Sequence, residues 1–330
     1  MMTDEERDVR AIRIESNGGP EVLNVQDVAP PTPAADQVLV EVAAAGVNFI
    51  DIYQRDGTYP LDLPTGLGLE GAGTVVAVGD EVTDRQVGDR VAWCDTLGSY
   101  ADQVAVAADR TVVVPADIDP GVAAAVMLQG MTAHYLTHST YTLGRDDTAL
   151  VYAAAGGVGR TLVQLAKRRG ARVLACTSTE AKAQDVRSLG ADEIVFYRDV
   201  DVPDTVAELT DGHGVDVVYD SVGQATFDDS LSCLKPRGLM VLYGASSGPV
   251  PPVDPQVLNR SGSLYLTRPG LPNYIATTDE LAWRAGALFD LLNAGQLDVA
   301  IHDRYPLEAA AEAHRDLAAG TTSGKLLLTP

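Results

Sequence analysis

Residues 154–159 read Ala-Ala-Gly-Gly-Val-Gly, a turn of small side chains between two segments of opposite character. An apolar run at 149–153 precedes it and an amphipathic stretch at 160–169 follows. In a strand–turn–helix of this kind, small residues let the backbone approach a ligand, and the helix start offers N–H groups to an anion. The spacing is an A-x-G-x-x-G form of the dinucleotide fingerprint, so its chemistry is the holding of a pyrophosphate. A glycine turn that only packs a helix on a sheet is the plainer alternative. The second apolar run at 172–176 supplies the context that favours the nucleotide.

That second run leads into Thr177, Ser178 and Thr179 and not into an acid. A site for the unphosphorylated dinucleotide usually places Asp or Glu here to accept from the ribose 2′-OH. Without the acid, hydroxyls and a nearby ammonium can hold a 2′-phosphate. Lys182 is the nearest ammonium, and NADPH is the expected cofactor. Glu180 opposes this reading unless it points away along its helix. Lys182 could also be an ordinary solvated lysine, but the chain has only four lysines among its 24 basic residues.

Other chemistries fit the sequence less well. The five histidines, His134, His138, His213, His302 and His314, make no ligand spacing with Cys94, Cys176 and Cys233. His134 and His138 are four apart on one predicted helix, with no acid between them, so no metal is expected there. Gly244-Ala245-Ser246-Ser247-Gly248 matches the G-x-S-x-G elbow literally. The elbow needs a helix directly after the serine, and Pro249-Val250-Pro251-Pro252 cannot start one. A loop touching the cofactor is the expected role.

The positioning elements follow from periodicity. Residues 10–126 read as short strands at 38–42, 73–78, 88–92 and 100–106, with a Gly79-Asp80 turn into Glu81 and Val82. This spacing suggests a small barrel or sandwich. From about 121 the pattern changes. A helix at 123–136 is followed by strands at 149–153, 172–176, 193–197, 215–220 and 239–243. Helices at 160–169, 180–189, 205–210 and 224–233 alternate with them, the signature of a doubly wound parallel sheet. A last strand is expected at 264–267. Then come a helix at 281–292, a strand near 304–306, a second helix and a strand at 325–329 that returns to the first domain.

The totals bound the rest. At 330 residues and 46% hydrophobic, the chain can bury one large or two medium cores. No apolar stretch is long enough to cross a membrane, and the acidic start at 1–7 is no signal peptide. Three scattered cysteines fit a reducing cytoplasm. The net charge of −22 repels nucleic acid and anionic membranes. It also suits a protein from a salt-rich source, or one that is simply acidic.

Taken together, residues 18–23 (GGPEVL), 46–51 (GVNFID), 66–73 (GLGLEGAG), 87–91 (VGDRV), 153–159 (AAAGGVG), 218–223 (VYDSVG) and 263–269 (SLYLTRP) carry a resemblance over nearly the whole chain. It resembles the medium-chain dehydrogenase/reductase superfamily, nearest the zinc-free NADPH:quinone oxidoreductases related to zeta-crystallin. The resemblance implies an α/β protein with a GroES-like β-barrel catalytic domain at 1–125 and 271–330. A Rossmann domain, a doubly wound parallel sheet, is implied at 126–270, with nicotinamide and substrate in the cleft between. Zinc-dependent relatives have a cysteine where this chain has Asn48, and Gly-His-Glu where it has Gly68-Leu69-Glu70. The four-cysteine structural zinc lobe is absent too, so no metal is implied.

The resemblance places Asn48 and Tyr53 at the nicotinamide end, with Thr132 nearby. Gly156, Gly157 and Val158 would hold the pyrophosphate. Ser178, Lys182 and Tyr197 would hold the 2′-phosphate end, and Ser221, Tyr243 and Ser246 would line the remainder. Two departures stand out: Leu69 replaces a residue that is often polar in quinone reductases, and Gly320 lies near a site where some relatives place a cofactor-contacting arginine, which leaves open whether Lys325 compensates. Without a Lewis acid, alcohol oxidation is disfavoured. A quinone or an enone takes hydride more readily, because the charge it gains is delocalised. The enzyme then orients the reactants and stabilises a developing oxyanion. Asn48 and Tyr53 are the catalytic candidates, with a purely structural or cofactor-contacting role as the alternative. The expected function is NADPH-dependent quinone reduction in the cytoplasm. An NADPH-dependent enone or alkenal reductase, or a non-catalytic NADPH-binding protein, are the alternatives. A homodimer through the edge strand at 264–267 is implied.

Overall fold

The computed structural model describes residues 8–330; the acidic start at 1–7 lies outside them. Cα proximity divides the chain into two compact units. One runs up to Met131 and resumes at Ile275–Pro330, and the other is Thr132–Tyr274.

The first unit opens with β1 (Val9–Ile14), β2 (Asn24–Val28) and β3 (Gln37–Val47), then α1 (Phe49–Asp56). β4 (Thr65–Gly66), β5 (Glu70–Val78), β6 (Arg90–Cys94), β7 (Gln103–Ala107) and β8 (Thr111–Val113) follow, and α2 (Pro120–Tyr135) leads out of it. β3 is the organising strand. It pairs antiparallel with β5 and with β7, and near its end with the last strand of the chain. Its Val38, Val40 and Val42 are buried while Glu41 is exposed, the period-two pattern of a strand with one face on a core. Those valines pack with Trp93, Tyr100, Leu326 and Leu328 in one apolar cluster.

The second unit alternates strictly. Its strands are β9 (Thr148–Val151), β10 (Arg172–Thr177), β11 (Glu193–Phe196), β12 (Val215–Asp220), β13 (Leu234–Leu242) and β14 (Tyr265–Thr267). Between them lie α3 (Gly157–Arg168), α4 (Glu180–Ser188), α5 (Val202–Leu209), α6 (Phe227–Ser232) and α7 (Gln256–Arg260). All these strands pair in parallel, in the order β11-β10-β9-β12-β13-β14. The order reverses at β9, which has β10 on one side and β12 on the other. In open parallel sheets that reversal opens the ligand crevice at the carboxyl ends of the strands. The interior strands are covered on both faces, so β12 is buried at every position and reads as a near-continuous apolar run.

The chain then returns to the first unit through α8 (Thr278–Asn293), β15 (Ile301–Pro306), α9 (Ala310–Ala319) and β16 (Lys325–Thr329). β16 joins β3 at Leu326–Val47, Leu327–Gly46 and Leu328–Ala45. After β5 the chain turns at Asp80 and Glu81, where the N–H groups of Gly79 and Glu81 donate to the oxygens of Gln37 and Ala35. Two details differ from expectation. β13 begins at Leu234, earlier than residue 239, and reaches its regular register only after an irregularity between Val215 and Val217 of its partner. The short α7 sits in a proline-rich stretch where no helix was foreseen. No described helix is long and apolar enough to cross a membrane.

Candidate active site

The glycine turn has the geometry of an open helix start. β9 leaves through Ala153, whose φ of 49° is left-handed and costs about 1 kcal/mol or more for a residue with a Cβ. Gly156 is the N-cap of α3, and no side chain caps it. The helix therefore presents its first N–H groups to whatever lies beyond. A Cβ on Gly159 would lie 2.7 Å from the Cα of Ala154 and closer still to the oxygen of Ala153. Gly159 thus lets α3 sit on β9, while Gly156, Gly157 and Val158 form the lip.

The adjacent strand ends supply the remaining candidates. Ser178 follows β10 directly, and Thr179 caps α4 by accepting from the N–H of Lys182 at 3.4 Å. Glu180 takes a 2.6 Å ion pair from Arg187, so its carboxylate is directed along the helix. Tyr197 follows β11, and the guanidinium of Arg198 lies 5.7 Å from its ring centroid. The Lys182 ammonium has a lowered pKa, first through burial and second through the charge of Arg198. These two cations, following the hydroxyls after β10 and the end of β11, suit a doubly charged phosphate.

Across the reversal point, Asp220 organises the loop after β12. It accepts from the N–H groups of Val222 at 2.7 Å and Gly223 at 3.0 Å, and from Thr226 and Ser230 hydroxyls at 2.7 and 2.8 Å. Ser221 hydrogen-bonds Tyr243 after β13, and the Tyr243 phenol is raised chiefly by burial. Ser246 donates its N–H to the oxygen of Ser221 at 3.1 Å. A Cβ on Gly244 would come within 2.8 Å of Ser221 Cα, so glycine is needed where the two loops meet. Ser246 itself is exposed, and a turn without a helix follows it, as the prolines require. The structure thus gathers Gly156, Gly157, Val158, Ser178, Lys182, Tyr197, Ser221, Tyr243 and Ser246 at the carboxyl ends of five strands of one sheet. Thr132 is buried on α2 and does not belong to a strand end. The fit to a phosphorylated dinucleotide also rests on Thr177, whose Oγ1 is buried at the end of β10 with no partner in the protein.

The first unit holds Asn48 and Tyr53 in a network of buried polar groups. Asn48 is 2% exposed and starts α1. Its backbone N–H donates to Asp51 Oδ2 at 2.8 Å, and its Nδ2 donates to Glu70 Oε1 at 2.7 Å and more weakly to Gly46 O at 3.4 Å. Its Oδ1 accepts from Lys325 Nζ at 2.7 Å and Gln129 Nε2 at 3.1 Å. Every hydrogen-bonding position of that amide is engaged inside the protein. Tyr53, one turn on, is half-buried between Phe49 at 6.3 Å and Tyr59 at 5.2 Å between ring centroids. A chain of partners extends from Asp51: Tyr100 OH donates to its Oδ2 at 2.7 Å, His314 Nε2 is 3.3 Å from Tyr100 OH, and Arg55 Nη1 is 3.2 Å from His314 Nδ1. Arg55 can only donate, so His314 accepts at Nδ1 and carries its proton on Nε2. Burial, with the charge of Arg55, pushes His314 down to about 3. Burial, with the nearby Glu70 charge, lifts Asp51 to about 7 against the opposing pull of Tyr100, the Asn48 N–H and Lys325.

Sequence reasoning missed Arg198, Tyr100 and His314, and left the role of Lys325 open. Lys325 is 2% exposed and committed to Glu70 and Asn48, so it does not substitute for a cofactor-contacting arginine. One signal was readable: a lysine opening the apolar strand Lys325-Leu326-Leu327-Leu328 must bury its charge against an acid. His134 and His138 stack face to face at 4.0 Å. Among the described residues no three His, Cys, Asp or Glu side chains gather as a metal-holding group.

Comparison with known proteins agrees with this geometry. Residues 34–144 match the family described as alcohol dehydrogenase GroES-like domain, and residues 157–281 match the one described as zinc-binding dehydrogenase. The quinone oxidoreductase of Pseudomonas aeruginosa is 46% identical over 97% of this chain and 99% of its own. The crystal structure of Escherichia coli quinone oxidoreductase complexed with NADPH superposes with a TM-score of 0.96 at 43% identity, covering 97% of this chain and all of that one. A mycobacterial protein, also solved with NADPH, gives a TM-score of 0.95 at 47% identity over 97% of this chain and all of its own. With both family models matched and with relatives this similar over their whole length, the chain belongs to the zinc-free quinone oxidoreductase branch of the medium-chain dehydrogenase/reductase superfamily.

Proposed function

We propose that this protein is an NADPH-dependent quinone oxidoreductase. The carrying observation is the set of strand-end loops in the second unit, with Lys182 and Arg198 together where an acid would select the unphosphorylated nucleotide. When bound, NADPH supplies a hydride from nicotinamide C4. The chain's task is to bind and orient it and to receive the charge that develops on the acceptor. The uncapped start of α3 meets the pyrophosphate through backbone N–H groups. Lys182 and Arg198 meet the 2′-phosphate with Ser178 and Tyr197, Ser221, Tyr243 and Ser246 line the rest, and Thr132 stands near the nicotinamide end. In the first unit, Tyr53 meets the substrate oxygen, where a phenol donor stabilises the reduced product's charge. Asn48, its amide fully engaged, keeps the start of α1 in place at the nicotinamide end.

Hydride addition turns a quinone into an aromatic hydroquinone monoanion with delocalised charge, which one further proton neutralises, so a quinone needs less electrophilic help than a ketone. Side-by-side turnover with NADPH, a quinone and an enone tests this reading. Faster quinone reduction supports it, and preference for the enone overturns it. NADPH binding without turnover of either acceptor would favour a non-catalytic role.

The same reading includes a homodimer. β14 ends the six-stranded sheet, and its Tyr265 is 62% exposed, so a second copy can extend the sheet there. A monomer by sedimentation at micromolar concentration contradicts it. Cytoplasmic residence is supported by three free, buried cysteines. Fractionation that finds the protein outside the cytoplasm contradicts that placement.

A further inference from the structure

The pair Lys325 and Glu70 is 1% and 0% exposed at the side chains. Burying an ammonium costs several kcal/mol even after relaxation, and apolar side chains of similar size often serve stability equally well. Here the two charges do something an apolar pair cannot. Lys325 Nζ bonds Glu70 Oε1 and donates to Asn48 Oδ1, while Glu70 accepts from Asn48 Nδ2. The second carboxylate oxygen takes the backbone N–H of Leu128 at 2.6 Å. Gly46 makes the room: a Cβ there would come 2.7 Å from Lys325 Cε. Were the Asn48 amide to flip, its NH₂ would face the ammonium and the Gln129 NH₂, and its oxygen would face the carboxylate. Lys325 and Glu70 therefore permit one orientation only.

We propose that Glu70 and Asn48 form a built pocket for a primary ammonium, filled by the chain's own Lys325, and that this ammonium is a positioning residue for Asn48 and the start of α1. Asn48 caps the helix that carries Tyr53 one turn later. Losing the ammonium releases the amide, and the reacting end of the site loses its fixed frame.

The test is chemical rescue. Lys325→Ala removes the atoms that n-propylammonium contains. Thermal unfolding of the cofactor-free variant is followed while n-propylammonium, tetramethylammonium or sodium is raised at constant ionic strength. Saturable stabilisation by n-propylammonium alone, absent in wild type, is expected. Turnover should fall about tenfold or more in kcat, with the Kd for NADPH within about threefold of wild type, and recover with the same amine midpoint. Lys325→Met fills the space without charge and should lose kcat without responding to the amine. Stabilisation of the Ala variant by all three cations alike, or by none, overturns the proposal, as does wild-type kcat in the Met variant. If the Ala variant does not fold, the double variant Lys325→Met, Glu70→Gln removes both charges. Low kcat with NADPH affinity kept is then expected, and wild-type kcat overturns the proposal. The turnover arm rests on the quinone-reductase reading. The thermal arm uses no nucleotide or acceptor, so its failure is distinguishable from a failure of that reading.

Discussion

Tyr100 donates a 2.7 Å hydrogen bond to Asp51 across 49 positions of sequence, and both side chains are fully buried. That bond ties β3–α1 to the segment before β7, and it places Asp51 in a position to titrate near neutrality. An unfolded chain releases the Asp51 proton near its ordinary 3.8, whereas the folded chain holds it to about 7. The folded state binds more protons in that window, so this group's contribution to stability falls as pH rises from about 4 to about 7. His314 has the opposite sign. Its folded value of about 3 lies below the ordinary 6.5, so its contribution is full above 6.5 and falls as pH drops toward 3. Urea unfolding of wild type and Asp51→Asn at a series of pH values should show wild type losing ground to the variant between about pH 4 and 7. His314→Gln should gain on wild type as pH falls below 6.5. Parallel pH curves for wild type and variants contradict both assignments.

Lys182 and Arg198 are expected to select the phosphorylated nucleotide. Charge-assisted hydrogen bonds contribute about 1.5–3 kcal/mol, so Lys182→Ala or Arg198→Ala should each weaken NADPH binding about 10- to 150-fold and leave NADH nearly unchanged. Lys182→Glu should reverse the preference. Calorimetric titration with each nucleotide reads this directly, and an intact NADPH preference in Lys182→Glu contradicts the assignment.

Gly159 and Gly286 should respond oppositely to alanine. A Cβ at Gly159 drives into the backbone of Ala153 and Ala154, whereas one at Gly286 in α8 meets nothing within 4 Å. Gly159→Ala should cost about 1–3 kcal/mol as an overpacked site. Gly286→Ala should gain about 0.5–1 kcal/mol through helix propensity and a stiffer unfolded chain. Denaturant melts that show equal effects contradict this difference.

Tyr53→Phe keeps the ring between Phe49 and Tyr59 and deletes the hydroxyl. Loss of one donor to a developing oxyanion costs on the order of 100-fold in kcat. The Kd for NADPH should stay within about threefold. Unchanged kcat would leave Tyr53 a packing residue.

Much of this protein was legible because its periodicities are strong. The alternation after residue 121 announced the parallel sheet, and β12 and β16 were expected at the bounds observed. Glycine spacing located the turn between β9 and α3, and the sequence showed hydroxyl residues after β10 in place of an acid. The buried network was not legible, because its partners come from distant segments. Lys325, Glu70 and Asn48 meet only when β16 returns to β3, and His314 reaches Tyr100 across 214 positions. Arg198 escaped notice because a loop arginine beside Tyr197 looks solvated until its strand is placed next to β10.

The most direct test of the central claim is steady-state reduction of a quinone by the purified protein with NADPH and, separately, NADH. The account predicts acceptor-dependent oxidation of NADPH, with kcat/KM at least about tenfold above that for NADH, consistent with one charge-assisted contact to the 2′-phosphate. Equal use of both nucleotides, or no quinone reduction with either, would contradict it.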